Sequence, residues 1–288
     1  MKASDVITVA RPNTLTASAS PVLLASALAY HDGAFRWIPA LLCLGVAVFA
    51  QVASNFANDY FDFKHGMDGN GRLGPERVVA TGKVDAKPVL LGALVFLCLS
   101  CLCGLGLLFY APWWIIPVGI GIAGCVFGYS AGPFPLSHHA LGDVAVLLFF
   151  GLIPVCLTYF VQAGTFSLPC LWLAVGMGLV SVNILIVNNY RDVAQDKATG
   201  KITTIVLFGR KAGLVAYFIH MVVAAFLALV TCFSLLKTCL IGLLLVLMFY
   251  TWWQLRTRDG FALNAVLAHT ARNVLLYALA VSLGLIWG

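Results

Sequence analysis

Charge is the scarcest thing in this sequence. Asp, Glu, Lys and Arg make up 10% of its 288 residues, where ordinary soluble domains carry about 25%. Apolar residues make up 61%, and the mean hydropathy is +0.98. That excludes a soluble globular domain and leaves an integral membrane protein. The apolar runs also lack the period-two alternation of a membrane strand, which excludes a closed barrel. No basic, apolar, small-residue signal peptide is evident, so the first long apolar run, after Pro12, is expected to stay as a span. Cysteine is not scarce, at nine, but metal-ligand spacing is. Cys98, Cys101 and Cys103 share one apolar run with no His or carboxylate nearby and read as packing residues. The net charge of +6 raises nucleic acid as a partner. The basic residues lie between the apolar runs, however, where they serve orientation and phosphate binding, so no nucleic-acid partner is expected.

What the chain does have is a series of runs long enough to cross a bilayer. A hydrocarbon core of about 30 Å takes roughly 20 apolar residues per helix. On that ruler nine spans are expected, at 13–30, 37–57, 88–110, 113–130, 141–162, 168–189, 212–234, 236–254 and 263–287. The predicted fold is therefore an all-α membrane protein, nine transmembrane helices in a single bundle forming one domain over 1–288. With nine spans, the amino terminus and the even-numbered connections share a side that holds 15 of the 17 Lys and Arg residues; Arg36 and Lys237 fall on the other. The positive-inside rule then puts the amino terminus in the cytoplasm and the carboxyl terminus outside. Two connections on the cytoplasmic side are long, about 58–87 and 190–211, and long connections in a compact protein tend to be lids or binding loops.

Acids number 11, and five of them fall within residues 55–68 and 188–196. On a helix, residues three and four apart share a face. Asn55, Asp59 and Asp62 make one such stripe at the end of the second span, with Asn58 beside it. Asn188, Asp192 and Asp196 make another at the end of the sixth. Asn58-x-Tyr60-x-Asp62 and Asn188-x-Tyr190-x-Asp192 match position for position, four spans apart and so on one side of the membrane. A lone Asn-Asp stripe at a helix end is as readily a solvated end; the matching pair argues for one shared site. Its donors are hard oxygens without His or Cys, which suits Mg²⁺ held through carboxylates, water and substrate phosphate. Carboxylates alone would repel a diphosphate. The neighbouring Lys64, Arg72, Arg77, Arg191, Lys197 and Lys201 supply the cations that bridge the two.

These residues resemble the UbiA-type superfamily of intramembrane aromatic prenyltransferases, and the likeness runs through most of the chain. It rests on Ala10-Arg11-Pro12-x-Thr14-Leu15, on Asn58-Asp59-Tyr60-x-Asp62-Phe63-Lys64-x-Gly66-x-Asp68, on Arg72-x-Gly74-Pro75-x-Arg77 and on Pro133-x-Pro135-Leu136-Ser137. It continues through Leu141-Gly142-Asp143 and Asn188-Asn189-Tyr190-Arg191-Asp192, followed by Asp196, Gly200-Lys201 and Thr203. The Arg-x-Gly-Pro-x-Arg and Asn-Asn-Tyr-Arg-Asp forms point to the naphthoate branch of menaquinone synthesis. The family's first motif often has an acid four residues after Asp62, where this chain has Gly66; Asp68 is the next acid that can serve the metal.

The resemblance implies transfer of a polyprenyl group from polyprenyl diphosphate to 1,4-dihydroxy-2-naphthoate, with decarboxylation, in a bacterial inner membrane with the site facing the cytoplasm. Asp59, Asp62, Asp192, Asp196 and Asp68 would hold Mg²⁺, while Tyr60, Tyr190 and Asn55 would shield the allylic cation. The tail would lie in a groove open to membrane lipid. Arg11 is either a contact to the ring carboxylate or diphosphate, or an anchor before the first span. Asp143 either assists deprotonation of a ring hydroxyl or is a helix-start acid favoured by the dipole. Two rival acceptors, 4-hydroxybenzoate and homogentisate, belong to the same superfamily. A secondary transporter is the rival of another class, and motifs that end helices on one face beside basic loops speak against it. A CDP-alcohol phosphotransferase would need a contiguous acidic motif of which Asp68-Gly69 is the only trace.

Overall fold

A short amphipathic helix, α1 (Ala3–Ala10), opens the chain and ends at Arg11, whose φ of 50° turns the backbone sharply into Pro12. The computed structural model describes residues 1–64, 73–74, 77–129, 136–231 and 234–288. After α1 come α2 (Pro12–His31), α3 (Trp37–Lys64), α4 (Ala86–Gly106), α5 (Ile115–Gly128) and α6 (Gly142–Ala163). The bundle is completed by α7 (Leu168–Ala198), α8 (Thr204–Thr231), α9 (Leu235–Thr257) and α10 (Leu263–Ile286). The described residues contain no strand. One isolated bridge, His139 to Ile202, ties the connection before α6 to the one before α8.

Each of the nine expected spans overlaps a helix among the described residues. Seven helices, α3, α4 and α6 to α10, are long and apolar enough to cross a membrane. Of the other two, α5 has 14 residues and α2 is diluted by Thr and Ser. α8 begins at Thr204, ahead of its expected start, and two helices outrun their expected ends by the most: α3 continues to Lys64 and α7 to Ala198. These are the helices that carry the acidic stripes. A hydropathy ruler stops at the first polar cluster, but the backbone stays helical where those polar side chains find partners.

Local signals set several ends. Pro12 occupies the first turn of α2, where its missing N–H costs nothing. Ser167 and Ser234 cap α7 and α9, their hydroxyls accepting from Cys170 N at 3.3 Å and Lys237 N at 3.2 Å. Inside α8, Gly209 takes φ 84° and ψ 166°, a conformation closed to L side chains, and breaks the helix one residue before Arg210.

α7 is the axis of the bundle: 67% of its most apolar window is buried, against 17% for α4. It packs against α8, α10 and α6, while α3 pairs with α4 and α10 with α2 and α9. The crossing of α6 and α7 is close because both helices present glycine; a Cβ on Gly151 would lie 2.5 Å from Gly178 Cα. A π-turn at Leu148–Leu152 marks the same crossing. Leu173, Met177, Val180, Val274, Tyr277 and Val281 form the centre of the largest apolar cluster. Outward faces are apolar as well, Leu91, Leu102 and Leu105 on α4 and Phe226 on α8 among them. Trp37, Phe109, Trp113 and Trp287 stand exposed at helix ends on the side of the short connections, as in the aromatic belt of a membrane interface.

Candidate active site

The two acidic stripes meet across one large cavity. Its volume is about 1110 Å³, and its polar end is lined by Asn58, Asp62 and Arg77 on one side and Asn188, Asp192 and Asp196 on the other. The helical repeat explains which motif residues arrive there. At about 100° per residue, Asp192 and Asp196 lie 40° apart, whereas Tyr190 is turned roughly 200° from Asp192.

The first stripe is held by arginines. Asp59, 1% exposed, accepts from Arg11 Nη2 at 2.7 Å and Arg77 Nη1 at 3.1 Å on the same Oδ1. The other terminal nitrogen of Arg77 donates to Asp62, so one guanidinium spans both carboxylates. Arg11 reaches Asp59 because the backbone turns at Arg11, and Asn55 braces that turn. Its amide donates to Ala10 O at 2.8 Å and Thr14 Oγ1 at 2.9 Å, and its oxygen accepts from Gln51 at 3.0 Å.

The second stripe carries its own arginine. Arg191 donates to both carboxylate oxygens of Asp192, at 2.7 and 2.6 Å, to Asn188 Oδ1 at 2.8 Å and to Asn264 Oδ1 at 2.7 Å. Asn264, on α10, in turn donates to Leu73 O at 2.8 Å and so ties the first connection to the second motif. Lys201 pairs with Asp196 Oδ1 at 3.3 Å, while Asp196 Oδ2 is buried without a partner.

Four carboxylates face four cations here, Arg11, Arg77, Arg191 and Lys201. The set is formally neutral, so a diphosphate with about three negative charges needs further positive charge to enter. Among the described residues no three His, Cys, Asp or Glu side chains come together as a ready-made metal centre. The donors still fit a hard divalent ion that completes its shell with water and phosphate oxygens. The unpaired buried Oδ2 of Asp196 is the oxygen most in need of one.

Not every expected site residue reaches the cavity. Tyr190 packs in the apolar cluster around Ile186 and Leu255, with the Arg210 guanidinium 4.6 Å from its ring centre. Tyr60 rests against Phe61 at 5.0 Å, and Asn55 is spent on the α1–α2 turn. Lys64 and Lys197 are exposed and do not line the cavity. Arg72 and Asp68 lie outside the described residues. Asp143 is set behind the main cavity, beside Thr204. Sequence reading missed Asn264 and Gln195, both of which line the cavity; an amide one residue into the last apolar helix was the available signal for Asn264.

Away from the polar end the cavity turns apolar. It runs between α3, α4, α5 and α6 past Val46, Cys101, Gly104, Ile116 and Leu157, with Phe149 and Phe150 of the π-turn in its wall. A charged head joined to a long apolar body is the shape of an amphiphile with an anionic end. A bundle in which seven of the described helices are long and apolar enough to cross a membrane, and which holds such a cavity, defines a multi-pass integral membrane protein with room for a lipid-like anion. The chain belongs to the UbiA prenyltransferase family, whose sequence profile matches residues 18–285.

Its relatives include a 1,4-dihydroxy-2-naphthoate octaprenyltransferase of Mycobacterium tuberculosis, 35% identical over 97% of this chain and 96% of that protein. The protein of the same name in Haemophilus influenzae is 36% identical over 75% and 73%. Among solved structures, a UbiA homolog from Archaeoglobus fulgidus bound to DMAPP and Mg2+ superposes with a TM-score of 0.68. It is 17% identical, over 98% of this chain and 99% of that one, and supports the fold.

Proposed function

We propose that the protein transfers a polyprenyl group from polyprenyl diphosphate to 1,4-dihydroxy-2-naphthoate, with loss of the carboxylate, to give demethylmenaquinone. The observation that carries this reading is the single cavity in which two oxygen-donor stripes and their cations open into a long apolar body. Two relatives similar in sequence bear the name 1,4-dihydroxy-2-naphthoate octaprenyltransferase, which supports the acceptor.

Asp62, Asp192 and Asp196, with Asn188, would hold Mg²⁺. When bound, the ion supplies positive charge to the departing diphosphate. Arg77, Arg191 and Lys201 bind the phosphate oxygens, the arginines through their planar forks and the lysine as a point charge. Their existing carboxylate contacts keep them aimed before substrate arrives, so little reorganisation is needed as charge develops on the leaving group. Asp59 sits behind this layer and orients Arg11 and Arg77. Of the rings that line the cavity, Tyr129 lies nearest the carboxylates Asp62 and Asp196 and shields the allylic cation from water, and Phe149 and Phe150 continue the wall into the apolar body. The tail lies in the apolar body against lipid.

The chain is one domain over 1–288, its nine helices α2 to α10 each counting as a span. The amino terminus and the connections 58–87 and 190–211 lie at the cytoplasmic face of a bacterial inner membrane, and nucleic acid plays no part. A reporter fused after Gly288 that works only outside the cytoplasm should be active; a silent one with the protein in place would reverse the orientation.

The function is tested with membranes containing the protein, a polyprenyl diphosphate and each candidate acceptor, with Mg²⁺ or EDTA. Prenylated product is expected from dihydroxynaphthoate with Mg²⁺ and none with EDTA. Product from 4-hydroxybenzoate or homogentisate alone would move the protein to another branch, and EDTA-resistant turnover would remove the metal.

A further inference from the structure

Behind the main cavity lies a second chamber of about 10 Å³, close to the room one water molecule takes. Tyr129, Leu185 and Lys201 line both spaces and form the partition between them. Three residues of the chamber wall bring buried oxygens to it: Asp143 Oδ1, Asn189 Oδ1, and Thr204 Oγ1, which faces the Asp143 carboxylate. They come from three elements, the first turns of α6 and α8 and the middle of the second motif on α7, and Asn189 is 4% exposed. Each such atom costs about 1–3 kcal/mol if left unmet. One water in a space of this size can donate to the Asp143 and Asn189 oxygens and accept from the Thr204 hydroxyl. The Tyr129 hydroxyl comes to the same corner, 3.6 Å from where a Cβ on residue 142 would stand.

We propose that Asp143, Asn189 and Thr204 seat one water molecule, and that through it and Tyr129 the Asp143 carboxylate takes up and returns the ring-hydroxyl proton of the aromatic acceptor. This rests on the prenyl-transfer reading above. As the ring carbon that bears the carboxylate bonds to the allylic carbon, the allylic carbon–oxygen bond breaks and its electron pair leaves on the diphosphate. The ring O–H bond breaks too. Its proton passes to the Tyr129 oxygen, the Tyr129 proton to the water, and a water proton to Asp143, so the ring oxygen becomes a carbonyl beside the carbon that bears the carboxylate. Departure of carbon dioxide sends its electron pair back onto that oxygen and restores the aromatic ring, and the protons run back along the same path. No net proton is released, so the arrangement is a shuttle and needs no exit to solvent. Tyr129 and Lys201 are the other titratable groups on the chamber wall. Lys201, paired with Asp196, acts there only as partition.

The test compares Asp143→Asn and Thr204→Val with the unsubstituted protein in membranes, using geranyl diphosphate, dihydroxynaphthoate and Mg²⁺. Asp143→Asn should lower transfer about 100-fold, the lower end of what a lost general acid–base group costs, and Thr204→Val, which removes one contact to the water, should lower it by a smaller factor. Cleavage of geranyl diphosphate to the alcohol without acceptor reports folding, metal and diphosphate binding, and should be unchanged. A fluorinated acceptor with a more acidic hydroxyl should narrow the loss. Transfer unchanged in both variants, or cleavage falling in step with transfer, would overturn the shuttle. If the unsubstituted protein makes no product from dihydroxynaphthoate, the functional reading itself fails. The seat is then read alone from a structure that resolves water, where an ordered water between Asp143 and Asn189 supports it and a dry chamber overturns it.

Discussion

Asp192 and Asp196 stand one helical turn apart and line the same cavity, yet their surroundings make them unequal as probes. Asp192 is the charged partner of Arg191, whose side chain is 1% exposed. Removing its charge leaves a buried guanidinium with amide partners alone, and breaking a buried pair costs about 3–5 kcal/mol. Asp196 pairs with Lys201, which is 21% exposed and can turn to water. Asp192→Asn should therefore lose both turnover and thermal stability. Asp196→Asn should lose turnover about 100-fold while its melting temperature stays close to that of the parent, as read by a thermal shift in detergent. Full activity in Asp196→Asn would take that carboxylate out of the metal set.

The helices were the most legible part of the sequence, because a hydrocarbon-length run announces itself by composition alone. The shared location of Asp62 and Asp192 was legible too, from the three-four spacing and from an even number of spans between the motifs. What could not be read was which motif residues are used inside the protein. Asn55 lies on the stripe, but its partners Ala10 and Thr14 arrive through a positive-φ turn at Arg11 that composition does not reveal. Tyr190 is the converse case: its 200° rotation from Asp192 follows from the helical repeat, which the match between the two motifs does not express. Asn264 binds Arg191 from 73 positions away, a distance over which local pattern carries no information. Helix packing holds a similar constraint in Gly151, where any side chain meets the α7 backbone at 2.5–2.7 Å. Gly151→Val should separate α6 from α7 and cost roughly 1–3 kcal/mol or more, seen as a lowered melting temperature. An unchanged value would mean that the crossing is looser than its geometry.

At the scale of the whole molecule, the site is a junction between two media. The polar end gathers its cations where the long connections meet, and the apolar body runs away from it towards the least buried helices. α5 is the thin part of the wall: 14 residues cover about 21 Å at 1.5 Å per residue, short of a hydrocarbon core of about 30 Å. A cavity bounded by α4 and so short a helix has a flank on the lipid, which suits a substrate with a long apolar tail. Gly104, on α4, lines that flank, and a Cβ there would meet nothing nearer than Val46 Cγ2 at 3.9 Å. A leucine at this position therefore enters without displacing the backbone and narrows the passage. Gly104→Leu should leave geranyl transfer near the parent rate and lower kcat/KM for an octaprenyl donor about tenfold, the discrimination that a few methylenes of misfit provide. Because both donors share one diphosphate, their ratio isolates the tail from the head. An unchanged ratio would place the tail along another face of the bundle and leave the space beside α5 to lipid alone.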